Sequence, residues 1–282
     1  MKLTDLPNGL HLDVPPEVYH QSELGLVNCG GLKAFEHAPA AYKIWVDGGV
    51  QESQTPALLF GAAFHCAALE PKRFAEAYAV EPQFGDCRKS DNKTARDKWR
   101  EANASRLLLS PEDAASITAM VASLHAHPLV GPMLSVGQPE ATVLWRDQAT
   151  GLRCKARPDL LATELSLCLD LKSTGDATAG PFDRTVFSYL YHCQAAHYLE
   201  GLAAIERPVD HFIFGAVEKT PPFLVALYAL DDESLDAGSR RNHRLMASMA
   251  ECLRTGSWPG LPTTITTLHM PRWLAAQSLN NY

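Results

Sequence analysis

Charged residues set into apolar, strand-like sequence constrain this chain more than any other feature. Between Ala156 and Thr174 the segment ARPDLLATELSLCLDLKST carries Asp159, Asp170 and Lys172 among leucines that otherwise read as sheet interior. Desolvating an ionised side chain is costly unless a counter-charge or a metal ion compensates it. In the last strand of the stretch, Leu165, Leu167, Leu169 and Leu171 alternate with Ser166, Cys168, Asp170 and Lys172. A period of two therefore sets Asp170 and Lys172 on one face, with their heads converging. Taken singly, Asp159 reads as a turn or strand-end aspartate after Pro158, and Asp170 with Lys172 as a solvated strand face. Together, as a D-x-K that follows R-P-D at a hairpin's distance, they point to a site.

The flanking pattern alternates helices and strands. Asn28 caps a segment in which Leu32, Phe35, Ala38 and Tyr42 recur at helical spacing, and Pro39 divides it into two short helices. Thr55-Pro56 opens a nearly all-apolar helix, stopped by Pro71, that holds His65 and belongs in the core. Ser110, Pro111 and Asp113 open another long helix, ended by Pro128. Strands follow over EATVLWRD, LRCKARPDLLA and LSLCLDLKST, with turns at QATG and Thr163-Glu164, so a three-stranded meander is expected. Then come one helix over 183–205, a hairpin of VDHFIFGAVE and PFLVALYAL across KTPP, and a helix from Asp231 to about Arg254. The expectation is a single α/β domain over 1–282. It divides into an N-terminal extension (1–24), a helical region (25–135), a core sheet (136–230), and a C-terminal helix and tail (231–282).

Composition narrows the classes. Hydrophobic residues at 46% and charged residues at 20% supply a globular core. The N-terminus has no apolar signal-peptide region and no span of 18 apolar residues occurs, so a cytoplasmic protein without a membrane role is expected. The cysteines, at 29, 66, 87, 154, 168, 193 and 252, are scattered and form no CxxC, which argues for reduced thiols and against a zinc ribbon or an iron–sulfur cluster. A net charge of -7 does not advertise a nucleic-acid binder, so any such function needs a local basic patch. The richest one is CRKSDNKTARDKWREANASR, with seven Lys or Arg against three Asp or Glu; it contains Arg88, Lys89, Lys93, Arg96, Lys98 and Arg100. On this evidence alone a solvated helix face of mixed charge accounts for it somewhat better. Arg240, Arg241 and Arg244 on the last helix are the other candidates for holding DNA.

Carboxylates on two neighbouring strands, with a lysine two residues beyond the second, suit divalent-metal phosphodiester chemistry. Hard oxygen ligands hold Mg²⁺ or Mn²⁺, the ion polarises a phosphoryl oxygen and acidifies water, and the lysine orients that water or stabilises charge developing on phosphorus.

The sequence R-P-D…D-L-K followed by QAAHY resembles the PD-(D/E)xK nuclease superfamily, and its Q-x-x-x-Y helix resembles the RecB-like branch. GGLKAFEHAPAAYKIW, LLFGAAFHCAALEPKRF and LHMPRWL are similar to the N-terminal motif, the G-x-x-x-H helix and the terminal P-x-W of RecE-type exonuclease domains (exonuclease VIII) of phages and prophages. The likeness covers about residues 25–275. It implies a restriction-endonuclease-like core, a mixed central sheet flanked by helices. His65, Asp159 and Asp170 correspond to metal ligands, with the backbone carbonyl of Leu171 completing the shell. Lys172 corresponds to the catalytic lysine, and Gln194 and Tyr198 to residues set against the DNA backbone near the reacting phosphate. Glu140 matches an acidic position that could ligate a second metal or support the first. Without the resemblance, His65 reads as a core histidine, Gln194 and Tyr198 as an amphipathic stripe, and Glu140 as solvated surface.

The implied activity is Mg²⁺- or Mn²⁺-dependent digestion of linear double-stranded DNA from the 5′ end, for recombination. The implied partners are double-stranded DNA ends, a ring-shaped homotetramer and a single-strand annealing protein. Larger members carry the nuclease behind a long N-terminal region, so a compact stand-alone version is expected here. Two other readings stay open. One is a RecB-like endonuclease or a 3′ to 5′ exonuclease, because phosphoryl chemistry does not fix where the cut falls. The other is a non-catalytic DNA-binding scaffold with a degenerate site, against which the intact Asp159, Asp170 and Lys172 set counts.

Overall fold

The computed structural model describes residues 2–48 and 55–270. The chain begins with β1 (Gly9–His11), α1 (Pro16–Tyr19), β2 (Leu26–Val27), α2 (Cys29–His37) and α3 (Pro39–Val46). A helical region follows: α4 (Pro56–Leu69), α5 (Pro71–Ala77), β3 (Tyr78–Val80), α6 (Ser90–Ala102), β4 (Leu107–Leu109), α7 (Pro111–Ala126) and α8 (Val130–Val136). The sheet region holds β5 (Gln138–Pro139), β6 (Thr142–Arg146), β7 (Arg153–Ala156), β8 (Leu160–Ala162) and β9 (Leu167–Thr174). The remainder is α9 (Ala179–Ser188), α10 (Tyr191–Ala204), β10 (His211–Glu218), β11 (Val225–Ala229) and α11 (Asp232–Thr255). Side-chain caps stand where the sequence set them: Asn28, Thr55, Ser110 and Asp231 each accept from a backbone N–H in the first turn of the following helix.

The expected meander does not form as one sheet. Pro158 interrupts LRCKARPDLLA, and its two halves join different sheets. β7 pairs antiparallel with β6 in a four-stranded sheet of order β1-β6-β7-β2, while β8 pairs antiparallel with β9 in a five-stranded sheet of order β11-β10-β9-β8-β5. Proline lacks the N–H that a continuous ladder requires. In the five-stranded sheet β10 runs parallel to β9 over its full length and antiparallel to β11, so this sheet is mixed.

Period-two burial explains the layers. Leu167, Leu169 and Leu171 of β9 face Ala63 and Phe64 of α4 and Ile117, Met120 and Leu124 of α7. The opposite face packs Cys168 with Phe212, Phe214 and Ala216 of β10 against helices α9, α10 and α11. α10 also seats the four-stranded sheet: a Cβ on Gly201 would lie 2.6 Å from the Trp145 ring, so only glycine allows that approach. The N-terminal residues cover the outer side of this sheet. Arg153, Lys155 and Arg157, alternating along and just beyond β7, reach back to donate hydrogen bonds to the carbonyls of Thr4 and Leu6, of Tyr19 and Gln21, and of Val14 respectively. The Tyr19 ring lies against both buried cations, 4.8 Å from Lys155 Nζ and 4.3 Å from the Arg157 guanidinium carbon. What reads as an extension is therefore part of the folded body.

The single helix expected over 183–205 is two helices. Leu190 takes a left-handed conformation (φ 63°) between α9 and α10 and redirects the chain. α11 then fixes α10 from behind. Gly238 packs against the backbone of His192 and Cys193, and the buried Asn242 amide, one turn on, donates to the Cys193 carbonyl at 2.8 Å. A Cβ on Gly238 would lie 2.6 Å from the His192 carbonyl oxygen, a backbone atom that moves only with the helix. Gly238→Ala is expected to lower unfolding free energy by about 1–3 kcal/mol in urea titrations. Gly180→Ala, whose Cβ would meet nothing within 4 Å, is expected to leave it unchanged or slightly raised.

Candidate active site

The site arises where the two sheets part. The β8–β9 register pairs Leu160 with Leu169, and one further step sets Asp159 across from Asp170. Like charges in that position repel unless something offsets them. Among the described residues no strand continues alongside β9 past that point on the β8 side, and the Asp159 carboxylate takes the place of the ladder by accepting the Leu171 N–H at 2.6 Å through Oδ2. His65, projecting from α4, places Nδ1 3.2 Å from the same oxygen. On β9 the Lys172 ammonium pairs with Asp170 Oδ1, as the strand period requires. From α10, Gln194 completes the set: its Oε1 accepts from Lys172 Nζ at 3.2 Å and its Nε2 donates to Asp170 Oδ2 at 2.9 Å. Tyr198, one turn on, meets the Gln194 amide through its hydroxyl at 3.1 Å. Gln194 and Tyr198 are thus a supporting pair, set by the i, i+4 geometry of the helix.

Burial dominates the electrostatics. Asp170 is 0% exposed, and burial pushes its carboxyl up to about 6 although the neighbouring Lys172 ammonium opposes this. Burial disfavours a charged Lys172, yet Asp170 and Asp159 together outweigh burial and raise its pKa, so the ammonium persists at neutral pH. Burial likewise opposes a charged His65, but the Asp159 carboxylate holds its pKa above the usual imidazole range. Asp159 is lowered in return, with His65 and Lys172 overcoming its desolvation. Glu140, in a left-handed turn (φ 51°) before β6, donates its backbone N–H to the Asp159 carbonyl. Burial, then the Asp159 charge, pushes its carboxyl up to about 7, and the Arg157 guanidinium stands 4.0 Å away. The structure therefore draws Glu140 to the site and not to free surface.

The donors fit a hard divalent cation. Asp170 Oδ1 is buried and its one protein partner is the Lys172 ammonium, so a lone pair of that carboxylate oxygen remains for an ion. Two carboxylates with a backbone carbonyl alongside match the hard-oxygen preference of Mg²⁺ and Mn²⁺, and the His65 imidazole is the softer donor of the set. Among the described residues no three His, Cys, Asp or Glu side chains are drawn together at ligating distance. His65 closes on Asp159 and Lys172 on Asp170, so these pairs must open for an ion to enter.

A cleft of about 760 Å³ leads to the site, lined by His65, Glu140, Arg157 and Asp159 and by Tyr19 from the N-terminal residues. Tyr191 is a contact that the sequence did not reveal: its ring lies 4.3 Å from Lys172 Nζ. Neither Arg88, Lys89, Lys93, Arg96, Lys98 nor Arg100 lines this cleft. They lie on or just before the exposed α6, where Arg88 is held by Asp86, Arg96 by Asp97 and Arg100 by Glu81. Of the other basic candidates, Arg241 and Arg244 are paired with Glu36. Pro271 and Trp273, the P-x-W residues, lie outside the described residues.

Addition of Mg²⁺ or Mn²⁺ is expected to raise the melting temperature, with stabilisation approaching about 2.7 kcal/mol at a hundred times the dissociation constant. Asp170→Asn is expected to abolish that shift and His65→Ala to reduce it, while His125→Ala, on the distant end of α7, retains it. Equal shifts in all four proteins in differential scanning calorimetry would place the ion elsewhere.

Comparison with known proteins identifies the family and the fold. The family described as "PDDEXK-like domain of unknown function (DUF3799)" matches residues 28–268. A solved structure, a "putative exonuclease" from Eubacterium rectale, superposes with a TM-score of 0.59 at 15% identity, covering 95% of this chain and 99% of its own; the likeness is one of fold. A second, SSO0001, gives a TM-score of 0.30 at 13% identity over 69% of this chain and 87% of its own. No curated protein sequence matches the chain. The mixed α/β fold with its split sheets and the breadth of the family match lead to one assignment: the chain belongs to the PDDEXK-like domain family, within the PD-(D/E)xK nuclease superfamily.

Proposed function

We propose that the protein is a Mg²⁺- or Mn²⁺-dependent exodeoxyribonuclease of RecE type, degrading linear double-stranded DNA from the 5′ end. The observation that carries this reading is the network of the buried Asp170 with the half-buried Lys172 and Gln194, set against Asp159 and His65 at the end of an open cleft. Asp159, Asp170 and His65, with the Leu171 carbonyl, are the residues that would hold the ion, and Glu140 stands where it could support them. Bound there, the ion supplies Lewis-acid polarisation of a phosphoryl oxygen and a more acidic water.

The chain's own groups do the remaining work. Lys172, kept charged by its aspartates, donates hydrogen bonds to the attacking water or to a phosphoryl oxygen and offsets the charge that develops on phosphorus. Because it is protonated at rest, it acts as a donor and electrostatic stabiliser and not as a base. Gln194 fixes the ammonium through Oε1 and the aspartate through Nε2, and Tyr198 fixes Gln194. Backbone phosphates outside the cleft would meet Lys89, Lys93 and Lys98, which have no acidic partner within 4 Å among the described residues, together with the arginines of the same segment. A cytoplasmic recombination role, a ring-shaped homotetramer and a single-strand annealing partner belong to the same RecE-type reading.

A linear duplex labelled at either the 5′ or the 3′ end tests this directly. With Mg²⁺ the expected outcome is early release of the 5′ label, survival of the 3′ label on shortened strands, no cutting of a closed circle, and no cutting in EDTA. Lys172→Ala is expected to lose turnover by two or more orders of magnitude while keeping the metal-induced thermal shift. Cleavage of the circle would make the protein an endonuclease, and undiminished activity in EDTA would overturn the metal reading.

A further inference from the structure

The break between α9 and α10 leaves a second cleft, of which the catalytic reading uses only Gln194 and Tyr198. It encloses about 330 Å³ and adjoins the active-site cleft, sharing Tyr19, Tyr189, Tyr191 and Tyr198 with it. Gln194 lines it too, so it opens one side chain away from Lys172. Within it the rings of Tyr189 and Tyr191 are nearly parallel, with centroids 5.8 Å and planes 22° apart. Lys172 Nζ sits 4.3 Å from the Tyr191 centroid, and Lys33 Nζ 5.8 Å from that of Tyr189. The result is a row of ammonium, ring, ring and ammonium running from the reacting centre to the surface.

The chain maintains this row at a cost. Leu190, between the two tyrosines, holds the left-handed backbone that an uninterrupted helix would have avoided. Tyr189 is 59% exposed and belongs to neither large core cluster, so core packing does not account for its placement. Arg241, also lining the cleft, is paired with Glu36, whereas Lys33 is exposed and has no acidic partner within 4 Å among the described residues.

We infer that this cleft is a stacking subsite for one unpaired nucleotide of the strand being cut, its base taking the place of the Lys33 ammonium over the outer face of the Tyr189 ring and its phosphate drawing the displaced Lys33. The inference rests on the nuclease reading and adds the form of the substrate. Aromatic rings accept any base through its π-face, and a nearby cation holds the phosphate, which is the chemistry of single-strand binding. A base inside a duplex has both faces covered by its neighbours, and a terminal pair presents its outer face only as a pair, whereas a cleft of about 330 Å³ has room for a single nucleotide; the one that occupies the ring is parted from its complement. The strand therefore reaches Lys172 separated by at least one base.

The test uses the full chain carrying Asp170→Asn, which does not cut, and short single-stranded oligonucleotides with 2-aminopurine at successive positions from the 5′ end. Binding is expected to quench the fluorophore at one or two positions. Tyr189→Phe is expected to retain the quenching. Tyr189→Ala is expected to lose it and to weaken binding by roughly five- to a hundredfold, the range of one base–aromatic stack. Tyr189→Leu, which keeps bulk but has no π-face, carries the same expectation should the alanine variant fail to fold. Lys33→Ala is expected to reduce the log-log salt slope by about 0.7, one single-strand phosphate contact. Quenching and affinity unchanged in both Tyr189→Ala and Tyr189→Leu would overturn the subsite while leaving the nuclease reading intact. A parent that binds neither single strand nor duplex would overturn both.

Discussion

Two carboxylates set across from each other in the interior of a sheet, Asp159 against Asp170, are the constraint to which the surrounding architecture answers. Each costs free energy to desolvate and each raises the cost of the other. The structure offsets them one by one. His65 and the Leu171 N–H hold Asp159, while Lys172 and the Gln194 amide hold Asp170. Those four partners come from a core helix, a strand backbone, the same strand's next outward position and a second helix, which is why α4 and α10 lie on opposite sides of β9. Pro158 makes the arrangement possible by ending one sheet and letting the chain enter the other, so that a carboxylate and not a strand occupies the space beside Leu171. An apolar sheet at this position would be easier to fold, and a divalent ion is the one further partner whose charge would reward the carboxylates' proximity.

The N-terminal residues and α11 serve the same centre indirectly. Arg157 accepts the packing of Tyr19, donates to Thr142 Oγ1 and to the Val14 carbonyl, and stands near Glu140. The residues before 28 lie outside the family match, yet Tyr19 lines the cleft. α11, through Gly238 and Asn242, fixes the start of α10 and therefore the height at which Gln194 meets Lys172. Buried polar networks of this kind are sensitive to the loss of any member, because each partner left behind is stranded in low dielectric.

Much of this was legible in the sequence because it depends on local rules. Caps at Asn28, Thr55, Ser110 and Asp231 follow from their side-chain oxygens, and the convergence of Asp170 with Lys172 follows from the strand period. The neighbourhood of Gln194 and Tyr198 follows from helical spacing. What escaped depended on tertiary context. The division of LRCKARPDLLA between two sheets was signalled by Pro158, yet nothing local says that both halves remain strands. The break at Leu190 carries no glycine or proline, so the period over 183–205 reads as one helix. The alternation of Arg153, Lys155 and Arg157 was a usable signal for a strand face that must meet buried acceptors. The acceptors, being backbone carbonyls of the N-terminal residues, have no sequence signature. The basic run at 88–100 drew attention by composition, and several of its charges are answered by neighbouring acids.

The central proposal for this protein is one metal site formed by Asp159, Asp170 and His65. Crystals of the protein soaked in Mn²⁺ test it most directly, through an anomalous difference map collected on the manganese edge. A peak is expected in contact with both carboxylates and the His65 ring, with the His65–Asp159 and Lys172–Asp170 pairs opened and Lys172 turned toward the cleft. A map with no peak there and both pairs closed, at a manganese concentration that supports nuclease activity, would contradict it.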